Sequence, residues 1–235
     1  MKRLLFVTLA LTLLPLGTAR AGIILYEGFD DISSLGAAGW AAVNNSAPLG
    51  LTDWFQGNPG VFPAYSGAEN SYIAANFENA GPGGNISNWG FTPVITFEEG
   101  TTLLFRTRTE SPAVFADRLE LRLSLNGAST DVGTSDVSVG DFGLLLMTIN
   151  PALDPGGYPD GWTQVGVVLY GVGGASGRFG FRYFVPDTFS NGNYIGIDDV
   201  EISTPDRPVV PEPTTIALVA TGLAGFVARR RRGAR

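Results

Sequence analysis

The chain has 235 residues and a formal net charge of −7, with neither cysteine nor histidine. Those two absences exclude disulfide staples, Ser-His-Asp and Cys-His catalysis, and thiolate or imidazole zinc sites, so that any bound metal has to be held by oxygen, which favours calcium. The 32 glycines and 15 prolines, scattered between short apolar runs, fit an all-β chain with frequent turns.

Residues 1–21 open with Lys2 and Arg3, continue as an apolar run from Leu4 to Leu16, and end in Ala19-Arg20-Ala21, an A-x-A cleavage pattern. This is a secretory signal peptide, expected as a helix that is removed on export. Residues 22–204 then read as one domain, followed by a linker over 205–210. Of the 15 basic residues eight lie in the two end segments, against one of the 22 acidic ones. Residues 22–210 keep 7 basic and 21 acidic residues, a formal charge of −14, and no lysine. Such a body repels nucleic acid, whose binding needs clustered Lys and Arg, and attracts divalent cations.

Within the body the first half is irregular, with short strands expected near Trp54-Phe55 and Tyr72–Ala75, and Gly81-Pro82-Gly83-Gly84 reads as a flexible loop. The second half alternates clearly. Thr102–Glu110 sets Leu103, Phe105 and Thr107 against Leu104, Arg106 and Arg108; Leu119–Leu125 sets leucines against Glu120, Arg122 and Ser124, a strand half-buried on its leucine face. Gly143–Ile149, Trp162–Tyr170, Arg178–Val185 and Tyr194–Ile202 continue the series, separated by Asn126-Gly127, Asp154-Pro155-Gly156-Gly157, Gly173-Gly174 and Asn191-Gly192. The spacing predicts a two-sheet jelly-roll sandwich.

The C-terminal segment, residues 211–235, has three parts. Pro211, Glu212 and Pro213 form an extended, accessible stretch. Thr214–Ala228 is uncharged over only 15 residues, a short transmembrane helix, and Arg229, Arg230, Arg231 and Arg232 hold its end on the cytoplasmic side. This order resembles the PEP-CTERM sorting signal of Gram-negative bacteria that make exopolysaccharide. The resemblance implies cleavage by an exosortase, transient residence in the inner membrane, and a destination in the periplasm, on the outer surface or in the extracellular matrix. A plain tail anchor is the alternative.

Six motifs in the body, in order, resemble the choice-of-anchor J domains, relatives of cleaved-adhesin and MAM-like jelly rolls. They are Glu27-Gly28-Phe29-Asp30, Gly39-Trp40, Asp53-Trp54-Phe55, Phe62–Gly67 with Glu69–Ala74, Asn88–Pro93 and Ile197–Ile202. Gly90-Phe91 departs from the Leu or Ile-Thr-Pro common in that family. The resemblance implies a non-catalytic surface domain with a structural calcium ion held by Glu27 and Asp198, with Asp199, Asp30 and Asp31 as further ligands. Strict alternation along the last strand puts Asp198 with Val200 and Ile202, and Asp199 with Ile195 and Ile197, so one aspartate faces apolar neighbours. A buried carboxylate is costly unless paired or metal-bound. The alternatives to calcium are solvated acids at a turn or edge, or a salt bridge to Arg106, Arg178 or Arg182.

Trp40, Trp54 and Trp89 are expected as glycan-contact rings, or else as core. The function expected is an exported protein that binds extracellular polysaccharide or surface proteins. A protein-binding adhesin is one alternative. A glycoside hydrolase or lyase using two of Glu69, Glu78, Asp117 and Glu120 is the other.

Overall fold

The computed structural model describes residues 22–205, together with 222 and 223. The signal segment, the linker beyond Pro205 and the Pro-Glu-Pro, helix and arginine elements lie outside the described residues. Among the described residues no helix is long and apolar enough to cross a membrane.

Among the described residues thirteen strands follow in chain order: β1 (Ile23–Glu27), β2 (Ala41–Asn44), β3 (Ala47–Leu49), β4 (Phe55–Gln56), β5 (Ile73–Asn76), β6 (Ala80–Phe91), β7 (Ile95–Thr96), β8 (Thr102–Thr109), β9 (Leu119–Ser124), β10 (Leu144–Ile149), β11 (Thr163–Val168), β12 (Ser176–Val185) and β13 (Tyr194–Ser203). They form two antiparallel sheets. The first runs β11-β8-β13-β5-β4 with β1 also on β13; the second runs β10-β9-β12-β6-β2 with β3 on β6 and β7 on β12. Gly22–Pro205 is one compact unit holding every strand and all three hydrophobic clusters, so it contains what it needs to fold by itself.

The alternating segments of the second half become the central strands. Leu103 and Phe105 of β8 and Leu119, Leu121 and Leu123 of β9 point between the sheets, with Phe179 and Phe181 of β12 and Ile195 and Ile197 of β13. Phe105 meets Phe181 edge-on at 5.0 Å, joining the layers.

Three expectations need correction. First, β9 is buried on both faces, with Glu120 only 7% exposed. Residues 126–142 fold over the outer face of the second sheet and set Val132 and Phe142 against Trp89 and Phe91. Second, Gly81-Pro82-Gly83-Gly84 belongs to β6. A Cβ on Gly81 or Gly84 would lie 2.8 or 2.7 Å from the Pro48 ring, so these glycines serve close approach by β3 and not flexibility. Third, alternation breaks in β13. The register shifts between Asp198 and Glu201, and Asp199 has φ +47°. This bulge brings Ile195, Ile197, Val200 and Ile202 all into the core.

Candidate functional site

The bulge in β13 is the centre of the acidic constellation. It leaves Asp198 beneath the segment 57–70, which lies over the outer face of the first sheet through Phe62 on Tyr72, Trp162 and Tyr194. Asp198 is fully buried. Its Oδ2 accepts the backbone N–H groups of Tyr65 (2.9 Å) and Ser66 (3.2 Å), and its Oδ1 accepts that of Asp199 (2.7 Å). Burial lifts the carboxyl to about 6, while these N–H donors and the charge of Asp199 act as smaller influences.

Asp199 turns the other way. Its Oδ1 accepts Tyr26 Oη–H (2.6 Å) and Ser66 Oγ–H (2.7 Å), and its Oδ2 lies 3.7 Å from Arg106 Nε. Arg106 in turn stacks on the Tyr65 ring at 3.6 Å. Glu27, opposite Val200 in the β1/β13 ladder, accepts Phe29 N–H at 2.8 Å through Oε1. Asp30 accepts Ser71 Oγ–H at 2.7 Å, and Asp31 caps the 3₁₀ turn Ile32–Ser34 by accepting Ser33 N–H. Phe29, at φ +53° and almost wholly buried, is a second left-handed residue beside the acids. Bulky residues adopt this conformation only where surrounding structure enforces it.

Thus Asp198 and Asp199 are held largely by hydrogen bonds from the 65–66 backbone and side chains. Of the arginines weighed for salt bridges, Arg106 takes Asp199. Arg182 pairs instead with Glu120 (3.2 Å), and Arg178 donates to the carbonyls of Gly39 and Thr92. Among the described residues, no three carboxylates gather as a metal-binding group.

Of the two places expected for the tryptophans, the core is the one they take. Trp40, Trp54 and Trp89 are 8%, 9% and 0% exposed, so they belong to the core and form no exposed platform. Trp40 packs edge-on against Phe29 at 5.4 Å and shares with Trp54, Leu35 and Phe181 the wall of an apolar pocket of about 270 Å³. Trp89 is enclosed by Phe91, Phe142 and the Arg182 guanidinium. Composition favours such rings in a core as readily as on a surface, and the segments that cover them are distant in sequence. Exposed rings occur elsewhere. Phe77 and Phe189, 48% and 72% exposed, line an open cleft of about 460 Å³ with Leu49, Leu51 and Pro82. No sequence pattern marked them.

The acids weighed for catalysis are dispersed in role. Asp117 is buried, accepts Tyr183 Oη–H and Asn193 N–H at Oδ1, and has Thr109 Oγ1 within hydrogen-bond distance of Oδ2; Glu120 is paired with Arg122 and Arg182; Glu69 and Glu78 are exposed.

Residues 209–232 match the PEP-CTERM protein-sorting motif, a span that includes Pro211, Glu212, Pro213 and all four arginines from Arg229 to Arg232. No curated protein sequence matches the chain. Among solved structures, the K1 cleaved adhesin domain of Lys-gingipain from Porphyromonas gingivalis W83 is similar with a TM-score of 0.55. Identity is 20%, over 77% of this chain and 98% of that one. The K3 domain from the same strain gives 0.52 at 17% identity (78% and 100% covered), and the K2 domain 0.51 at 17% (77% and 98%). At these identities the likeness shows the fold. The chain therefore carries a C-terminal PEP-CTERM sorting motif behind a β-sandwich with the fold of the cleaved adhesin domains.

Proposed function

We propose that this is an exported, non-catalytic binding protein of the cell surface or the exopolysaccharide matrix, of choice-of-anchor J type, processed by an exosortase in a Gram-negative envelope. The observation that carries the proposal is the sorting motif at 209–232 joined to an adhesin-fold body. The dispersal of the acids supports a binding role over a hydrolytic one. The contact surface we assign is the Phe77/Phe189 cleft, because apolar ring faces stack on pyranose rings and these are exposed. The test is retention of residues 22–205 on immobilised neutral and acidic polysaccharides. Phe77→Ala with Phe189→Ala is expected to weaken retention at least tenfold, about 1.4 kcal/mol. Retention on none of them, with capture by surface proteins of the source bacterium, would favour the adhesin reading; new reducing ends would favour the hydrolase.

Calcium at Glu27 and Asp198 is a second part of the proposal. The fit is incomplete on side chains alone, since calcium takes six to eight oxygens and the two carboxylates already accept backbone N–H groups. Backbone carbonyls would have to complete the shell. Two left-handed residues, Phe29 and Asp199, beside a buried carboxylate support a site built under constraint. Chelation is expected to lower the thermal midpoint of residues 22–205 by several degrees, and Glu27→Gln to abolish that shift. An unchanged midpoint on chelation would remove calcium from the account.

A further inference from the structure

Most sheet edges in this molecule are guarded. β4 has two residues, β3 contains Pro48, and β10 carries a bulge between Leu145 and Met147. Short edges, proline and bulges each discourage pairing with another chain. β11 has none of them. It stays in register with β8 from Thr163 to Val168 without interruption, and β8 is its sole strand partner among the described residues.

β11 also lacks charge, the remaining common guard. From Thr163 to Gly177 no residue is charged, and between Asp141 and Arg178 only Asp154 and Asp160 are, in a body of 21 acidic and 7 basic residues. Val165 and Val167 pack against the core but remain only partly buried, Val168 is 49% exposed, and Tyr170 beyond the strand is 73% exposed. An edge of this kind is a half-made sheet.

We propose that β11 is a self-pairing edge, joining a second copy of this chain as an antiparallel β11–β11 pair about a two-fold axis. The first sheet then runs continuously through both copies. A second copy is the occupant the charge pattern selects. Two bodies of charge −14 repel, and the repulsion is smallest where they meet along a strip that carries no charge of its own. A two-fold pairing also needs only one edge, repeated. The sign of the salt effect follows: screening weakens the repulsion and leaves backbone hydrogen bonds and valine burial in place, so salt strengthens the contact.

The experiment is sedimentation equilibrium of residues 22–205 at about 20 mM and about 500 mM NaCl. Dimer is expected, at least tenfold tighter at the higher salt. Gln164→Glu with Val168→Glu, at two exposed positions of β11, is expected to return the monomer, whereas Leu51→Glu with Val137→Glu adds the same charge away from β11 and leaves the dimer. Hydrogen exchange on the parent should show amides of β11 slowing as concentration rises. A monomer mass in both salts overturns the proposal, as does a dimer that the β11 variant leaves intact or that the control variant loses equally.

Discussion

Asp198→Ala is expected to cost the folded domain about 3–5 kcal/mol, among the larger losses a single truncation gives. The carboxylate accepts three backbone N–H groups, from Tyr65, Ser66 and Asp199. Alanine removes both acceptor oxygens at a fully buried position and strands three donors, each at a cost of roughly 1–3 kcal/mol, reduced where water can enter. Two of the donors belong to the segment that covers the first sheet, so the loss reaches its packing through Phe62 on Tyr72. Asp198→Asn is expected to cost about half as much, because one amide oxygen can still receive Tyr65 and Ser66 while the NH₂ faces the Asp199 N–H. Urea unfolding followed by fluorescence measures both. Equal losses for the two variants, or a loss below about 1 kcal/mol for alanine, would show that the hydrogen bonds do not hold this bulge.

That experiment is independent of the metal test. Hydrogen-bond loss at Asp198 destabilises with or without calcium, whereas a chelator shift that disappears in Glu27→Gln depends on the ion. A large effect of Asp198→Ala alone is therefore no support for calcium.

The same residue shows where sequence reasoning succeeds and stops. Period-two alternation located β8, β9, β12 and β13 closely, because central strands that bury one leucine or phenylalanine face carry their own signal. Along Ile195–Ile202 the alternation misled. Ile-Gly-Ile-Asp-Asp-Val-Glu-Ile brings all four large apolar residues to one face only if one residue is extra, and the second aspartate is that residue. Asp tolerates a left-handed backbone better than most residues, so the doubled aspartate was a readable mark of a bulge. The exposure of the tryptophans was not readable in this way. Trp89 is covered by Phe142, and Asp198 by Tyr65 and Ser66, contacts spanning 53 and more than 130 positions. Local pattern says nothing about which loop returns to which face. The Gly-Pro-Gly-Gly run was misread for a related reason, since its meaning lies in the Pro48 ring against it.

Asp117 carries the other large prediction, and it rests on counting protons. Thr109 Oγ1 lies 2.5 Å from Asp117 Oδ2 and 3.0 Å from the Tyr194 carbonyl, two acceptors for one hydroxyl proton. Tyr183 Oη–H and Asn193 N–H both donate to Oδ1, at 2.5 and 2.7 Å. A protonated Asp117 resolves the conflict: its Oδ2–H donates to Thr109, whose own proton goes to Tyr194. Burial raises the Asp117 pKa in the direction this arrangement needs, with the contacts to Thr109, Tyr183 and Asn193 as smaller opposing influences. A carboxyl with a raised folded pKa stabilises fully below its unfolded value of about 3.9, and that contribution is lost as pH rises through the folded pKa. Asparagine reproduces the protonated pattern, with Oδ1 accepting from Tyr183 and Asn193 and Nδ2 donating to Thr109, and it has no proton to lose. Asp117→Asn is therefore expected to lie within about 1 kcal/mol of the parent in acid and to gain on it as pH climbs through that window. Asp117→Ala, which strands the same donors without replacing their acceptor, is expected to cost about 3–4 kcal/mol in acid, and that deficit narrows as pH climbs by the amount the asparagine variant gains. Unfolding free energies measured from acid to neutral pH separate the two. Parallel curves for parent and asparagine variant would mean that the buried carboxyl titrates alike in the folded and unfolded chain, and the proton assignment would fall.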